Sequence, residues 1–325
     1  MTGAVVEVEG LRRDFVVRRS AGRLRRERHV VAAVDDLSFS VPGGQTVGYI
    51  GANGAGKSTT IKLLTGILVP TSGRLRVCGL DPVRQRRELA RRIGVVFGQR
   101  SALWWDLPLA DSFRILAAIH RLQAAAARQR LEECVEVLDM AAFLATPVRQ
   151  LSLGQRMRGE VTAALLHSPE LLVLDEPTIG LDVVTKQRLR SFLRTSRERH
   201  GTTVLLTTHD LPDIERLSDR ILVLDRGRLV FDGDLAGLVD RVGAERVLVV
   251  DLAQPGPALD DVPGTILRSV EADGMRQQLA FRAQDTSAAA VVAAVTSRAE
   301  LTDLTIREPQ IEDVVQRLYV TAQRA

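Results

Sequence analysis

Gly51-Ala52-Asn53-Gly54-Ala55-Gly56-Lys57-Ser58 is the stretch whose reading decides the fold. It fits the pattern G-x-x-x-x-G-K-[ST], a loop that wraps phosphate. Phosphate oxygens need several donors at close range, and backbone N–H groups without intervening Cβ atoms supply them. Gly51, Gly54 and Gly56 permit that path, while Asn53, Ala55 and Thr59 complete the loop and its exit. A helix beginning near Lys57 adds the positive end of its dipole. The Lys57 ammonium would reach the β and γ phosphates, and the Ser58 hydroxyl would ligate Mg²⁺. Scarcity of lysine sharpens the match: the chain has only Lys57, Lys62 and Lys186 among its 44 basic residues, so 44 − 3 = 41 are arginine. That bias itself reads as codon usage in a GC-rich genome.

Working outward, Thr46 to Ile50 is predicted as the strand that enters the loop, and Lys57 to Leu68 as the helix that leaves it. Leu171-Leu-Val-Leu-Asp175-Glu176 is an apolar run ending in two acids. Four buried strand residues would carry Asp175 to the carboxyl edge of the sheet, where ligands bind in open α/β folds. Asp175 would hold the Mg²⁺ shell, and Glu176 would polarise the attacking water. Further strands are expected at Arg74 to Val77, Ile93 to Phe97, Thr203 to Thr207 and Ile221 to Leu224. Strand–helix alternation of this kind predicts a mainly parallel sheet covered by helices. Leu109 to Leu138, rich in Ala, Leu, Glu and Arg, is predicted as helix within an inserted subdomain of residues 101–168. Upstream, Val5 to Val8 and Leu37 to Val41 read as short strands. The arginine-crowded Arg12 to Arg28 between them reads as a solvated hairpin loop, or as a contact for anionic lipid or a partner. Residues 1–237 are expected to form the nucleotide-binding domain and residues 238–325 a small α+β appendage. The latter should hold strands at Arg246 to Asp251, Leu279 to Arg282 and Leu301 to Ile306, and helices at Thr286 to Arg298 and Ile311 to Tyr319.

These residues alone describe a P-loop NTPase. Leu151-Ser152-Leu153-Gly154-Gln155, about 20 residues before Asp175, narrows the class. It resembles the LSGGQ signature of ABC ATPases, with Ser152 as a helix cap and Gly154 in the first turn. Leu153 departs from the family pattern, which has glycine there. Gln99 stands where the family has its Q-loop glutamine, Ile179-Gly-Leu181-Asp182 where it has its D-loop, and His209 where it has its H-loop histidine. Phe15 matches the aromatic that stacks on adenine. The resemblance covers residues 4–235. It implies an ABC ATPase core with an inserted helical subdomain and two subunits clasping two ATP molecules head to tail. Each ATP would meet Lys57 and Ser58 of one chain and Ser152, Gly154 and Gln155 of the other. Glu176 would be the general base, His209 the γ-phosphate sensor, and Gln99 the link from Mg²⁺ to the transport partner. Asp182 would belong to the nucleotide site through the D-loop.

Ser101-Ala-Leu-Trp104-Trp105-Asp-Leu-Pro108 contains both tryptophans of the chain. It reads as packing of the helical subdomain or as a groove for a helix of a membrane partner. With the segment Arg307 to Asp313 it resembles the ABC-2 type exporter ATPases, which include drug-export ATPases. That likeness implies a separate ABC-2 permease, export, and a place at the inner face of the plasma membrane. No uncharged apolar run approaches the roughly 18 residues of a membrane span, so membrane contact is expected through the partner. Two distant cysteines and no signal pattern fit a reducing cytoplasm. A formal charge of +4 gives no reason to expect nucleic acid. A soluble ABC protein acting on ribosomes or DNA is the other class open to the core. Ribosome-acting members carry two cassettes and DNA-repair members long coiled coils, and neither is visible here.

Overall fold

The computed structural model describes residues 3–20, 26–98, 101–208, 210–282, 284–309 and 311–322. It divides into two compact units, residues 1–232 and 233–325. In the first unit, two long strands, β1 (Ala4–Ser20) and β2 (Arg26–Pro42), pair antiparallel and lead into β3 (Thr46–Gly51) and α1 (Lys57–Leu64). There follow β4 (Ser72–Val77), the single turn α2 (Arg86–Leu89) and β5 (Ile93–Val96). Three helices come next: α3 (Leu109–Ile119), α4 (Ala124–Val137) and α5 (Leu153–Leu165). The chain then alternates through β6 (Leu171–Asp175), α6 (Val183–His200), β7 (Thr203–Thr207), α7 (Leu211–Leu217), β8 (Arg220–Asp225) and β9 (Arg228–Gly233).

The central sheet has the order β5-β6-β7-β3-β8-β9, and its first five strands run parallel. Its strands read as continuous apolar runs because both faces are covered. All five residues of β7 and the first four of β6 are buried. A second sheet, β2-β1-β4, is antiparallel, and its inward valines and leucines share one core with β3 and α1.

Three expectations change. Arg12 to Arg28 is not a loop over most of its length: β1 runs on to Ser20 and β2 begins at Arg26. Phe15 pairs with Val31 and Val16 with Val30, and such aromatic and β-branched pairs favour extended backbone despite the flanking charge. Arg23 and Arg25 lie outside the described residues. The single helix expected from Leu109 to Leu138 is two, divided at Arg121, whose φ is +57°. There the Leu122 N–H donates to the Ala117 carbonyl and the Arg121 N–H to the Ala118 carbonyl, a Schellman motif with arginine where glycine usually signals the stop. α1 ends at Leu64 rather than Leu68, with the same motif closing at Gly66.

The second unit opens with α8 (Leu235–Arg241) and contains β10 (Arg246–Leu252), β11 (Thr265–Glu271), β12 (Arg276–Phe281), α9 (Ala288–Thr296), β13 (Leu301–Arg307) and α10 (Ile311–Ala322). Its antiparallel sheet has the order β11-β12-β10-β13. Leu248, Val250, Leu279 and Phe281 pack with Val291 and Val295 of α9. β11 lacks an alternating apolar pattern strong enough to stand out, so the sequence does not announce it.

Candidate nucleotide-binding site

β3 is buried along its length and delivers the glycine loop to the carboxyl edge of the sheet. Gly56 caps α1 with φ +104°, and a Cβ there would lie 2.4 Å from the Ala33 carbonyl oxygen on β2. Only glycine fits so close an approach. The Lys57 ammonium donates to the carbonyls of Gly51 at 2.5 Å and Ala52 at 3.2 Å, bracing the loop across its mouth. Burial lowers the Lys57 pKa, and the charges of Glu176 and Asp175 partly restore it. Those three charged groups therefore share one field.

β6 ends at Asp175, beside the end of β7. The Thr207 hydroxyl donates to Asp175 Oδ1 at 2.5 Å, and the Glu176 N–H donates to the Thr207 carbonyl at 3.0 Å. Glu176 itself has φ +57°, a left-handed backbone that costs a non-glycine residue roughly 1–3 kcal/mol and is found where a site dictates it. Glu176 lies beyond the last residue of β6, so its backbone is set by the turn and not by the strand.

A cavity of about 950 Å³ opens over these groups. Its wall includes Phe15, residues 52–59, Asp175 and Glu176, so most of the expected nucleotide contacts come together. The Arg13 guanidinium lies 4.8 Å from the centre of the Phe15 ring. Ile179, the first residue of the D-loop, is on the wall as well, and Ala33, Lys62, Ile67, Leu68, Phe97 and Gly98 also line the cavity and were not anticipated. Neither was Thr207, which orients Asp175. No motif marks these positions, because they reach the site from separate elements. Gln99 and His209 lie outside the described residues.

Ser152, Gly154 and Gln155 are not on the cavity wall. They form the start of α5 with a reciprocal capping box. The Gln155 N–H donates to the Ser152 hydroxyl at 3.2 Å, and the Ser152 N–H donates to the Gln155 side-chain oxygen at 2.9 Å. Asp182 caps α6, accepting from the Thr185 N–H at 2.9 Å and the Thr185 hydroxyl at 2.7 Å, and these bonds hold its carboxyl below the usual carboxylate range. Leu153 and Gly180 touch, which ties the start of α5 to the turn that follows Glu176.

A glycine loop, a lysine and a helix start can hold a polyphosphate, and a carboxylate beyond them can activate water. Among the described residues no cluster of three or more His, Cys, Asp and Glu side chains gathers for a metal. Ser58 and Asp175 do present hard oxygen donors beside the loop. That is the donor type for Mg²⁺, which keeps several waters and takes further oxygens from a bound phosphate.

Residues 34–179 match the family described as ABC transporter. The daunorubicin resistance ATP-binding protein DrrA3 of Streptomyces coeruleorubidus is 37% identical over 287 residues, covering 87% of this chain and 89% of that protein. The Nod factor export ATP-binding protein I of Cupriavidus metallidurans is 37% identical over 259 residues, covering 78% of this chain and 81% of that protein. Among solved structures, the ATP-binding subunit of an ABC transporter superposes with a TM-score of 0.63 at 26% identity, covering 74% of this chain and 93% of that one.

Proposed function

This chain belongs to the ABC transporter family, and from that membership we propose that it is the motor of an exporter whose membrane-spanning part is a separate ABC-2 type permease. As a family member it is an ATP hydrolase. The observation that carries the reading is a division: Lys57, Ser58, Asp175 and Glu176 gather in one cavity, whereas Ser152 and Gly154 stay off its wall. A second copy of the chain would complete each site by bringing its signature helix to the γ-phosphate.

In that arrangement the loop N–H groups and Lys57 hold the β and γ phosphates, and Phe15 lies against the adenine. The Ser58 hydroxyl and the Asp175 carboxylate, steadied by Thr207, would hold Mg²⁺, which supplies charge neutralisation at the phosphate oxygens. Glu176 orients a water molecule and takes its proton as the water oxygen bonds to the γ-phosphorus in line with the bond that breaks. Charge left on the departing ADP oxygen is met by Lys57 and the loop N–H groups. Loss of the γ-phosphate removes what the partner's Ser152 and Gly154 hold, so the pair opens. Gln99 and His209 take the roles the family gives them, as the link to the permease and the γ-phosphate sensor. Asp182 serves the site from the D-loop by fixing the start of α6.

The first unit makes the motor, with residues 101–168 as its helical subdomain, and the second is an accessory domain that begins before α8, a few residues ahead of the boundary expected at 237. No helix among the described residues is long and apolar enough to cross a membrane, so the permease would hold the chain at the inner membrane face. Export is supported by the names of the relatives, a drug-resistance protein and a Nod factor exporter. The test is Glu176→Gln with Mg-ATP, followed by size-exclusion chromatography. A stable ATP-bound dimer is expected, and a variant that binds ATP but stays monomeric contradicts the reading.

A further inference from the structure

The signature helix grips the double-tryptophan segment along one face. Arg156, Gly159 and Glu160 stand at i, i+3 and i+4 on α5, so they form a single stripe. The Glu160 carboxylate accepts from the Ser101 hydroxyl and from the Ala102 N–H at 3.0 Å. One residue back, a Cβ on Gly159 would lie 3.1 Å from Leu103 Cδ1 and 2.9 Å from Leu109 Cδ1, so the helix backbone meets those leucines directly. The Arg156 guanidinium sits 5.9 Å from the centre of the Trp105 ring.

The approach to the signature holds the same segment. The Arg149 N–H donates to the Trp105 carbonyl at 3.0 Å, and the Val148 N–H to the Leu107 carbonyl at 3.1 Å. The Trp104 N–H donates to the Ser112 hydroxyl on α3 at 3.1 Å. Asp106 pairs with the Arg149 guanidinium at 3.0 Å on the exposed side of this grip, whereas Glu160 is the buried acid, only 7% exposed. A carboxylate is costly to bury unless donors meet it. Burial raises its pKa while the Ser101 and Ala102 donors pull it back. Trp105, by contrast, is 52% exposed and open to a partner.

We propose that Glu160 is a positioning residue that clasps Ser101–Trp105 to the signature helix, so that the tryptophans and Ser152 move as one piece. Pressure on Trp105 from the membrane partner then reaches the start of α5 without crossing the nucleotide cavity. In the other direction, closure of Ser152 on the partner subunit's ATP is felt at the tryptophans. This inference rests on the paired-subunit reading and adds to it a connection between the tryptophans and the signature helix, separate from the link through Gln99.

Trp104 and Trp105 are the chain's two tryptophans, so selectively excited tryptophan emission reports on this segment alone. Emission is followed while Mg-ATP is added to the Glu176→Gln chain, with sedimentation reporting dimer formation in parallel. The expected result is an emission shift that tracks the dimer. Adding Glu160→Ala should leave ATP affinity and the dimer in place but remove most of that shift. Glu160→Gln, which keeps an acceptor oxygen, should retain much of it, and Ser101→Ala, at an exposed position that does not threaten folding, should lose part. A passive packing role would alter emission before ATP is added and leave the ATP-linked difference intact, which overturns the proposal. So does a dimer that forms in the Glu176→Gln chain with no emission shift. Failure to dimerise at all instead defeats the paired-subunit reading, and the clasp's role falls with it.

Discussion

Leu153 occupies the space that a side chain on Gly180 would need: its Cδ2 lies 2.4 Å, and its Cγ 2.8 Å, from where a Cβ on residue 180 would be. The two residues depend on one another, since a leucine in the signature is accommodated by a bare backbone in the turn after Glu176. Gly180 also has φ +72°. Leu153 is 43% exposed, so its outer surface remains open to a second subunit.

Gly180→Ala should lower ATPase activity strongly, because it adds left-handed strain of about 1–2 kcal/mol and drives a methyl group into Leu153. Leu153→Ala removes the clashing Cγ and Cδ2 and leaves its Cβ at 3.4 Å. The double variant should therefore recover part of the activity lost by Gly180→Ala. A double-mutant cycle checks this, with an expected coupling of roughly 0.5–3 kcal/mol between touching residues. Strict additivity would show that the contact carries no energy.

Thr207→Val should impair catalysis without unfolding the sheet. It keeps the shape of a fully buried side chain but removes the donor to Asp175. Loss of a hydrogen bond to a charged group is worth about 1.5–3 kcal/mol. The half-saturating Mg²⁺ concentration should rise and kcat should fall, with thermal unfolding cooperative as before. Unchanged Mg²⁺ dependence would mean that Asp175 needs no such support.

Trp104→Ala combined with Trp105→Ala should uncouple transport from hydrolysis. Basal ATPase of the isolated chain is expected to persist, while stimulation by the permease in proteoliposomes is lost. Equal loss of both activities would assign the tryptophans to packing alone.

Stability should fall on mild acidification through His167. Its ring stacks on His120 with centroids 4.0 Å apart, and its Nε2 lies 3.0 Å from the Ile93 carbonyl oxygen, which accepts from the neutral ring. Burial first, then the neighbouring His120, pushes the His167 pKa down to about 4. Unfolded, the ring protonates near its ordinary value of 6.5, so the unfolded chain binds the proton first. This group's contribution is intact above about pH 6.5 and declines progressively down to about pH 4, by up to roughly 3 kcal/mol. Urea unfolding at several pH values should show a shallower decline for His167→Gln, which keeps a donor for Ile93. An identical slope in the variant would remove His167 from the account of acid sensitivity.

What was legible in the chain follows from how local each constraint is. The phosphate loop, the acids after β6 and the capped start of α5 each draw their chemistry from neighbours in sequence, so spacing exposes them. Ala33 and Thr207 act through space, one against Gly56 and the other on Asp175, and nothing beside them in sequence marks that role. Arg121 ends a helix in a conformation usually given to glycine, so the break between α3 and α4 has no residue to signal it. In the β1–β2 ribbon, Phe15, Val16, Val30 and Val31 set extended pairing while the surrounding arginines suggest a solvated loop. Leu153 was visible as a departure from the signature, but its reason lies in Gly180, 27 positions later by number (180 − 153).

The paired-subunit mechanism is tested most directly by mixing two inactive chains. Lys57→Ala removes the phosphate lysine, and Ser152→Phe blocks the signature. Each alone should form no working site, because every site needs one group from each subunit. In a mixed dimer, one site regains an intact phosphate loop from the signature variant and an intact signature from the Lys57 variant. ATPase activity should therefore reappear on mixing, in proportion to the mixed dimer measured by differential tagging. Mixed dimers that form and stay inactive, or a Ser152→Phe chain with full activity alone, would contradict a site shared between two subunits.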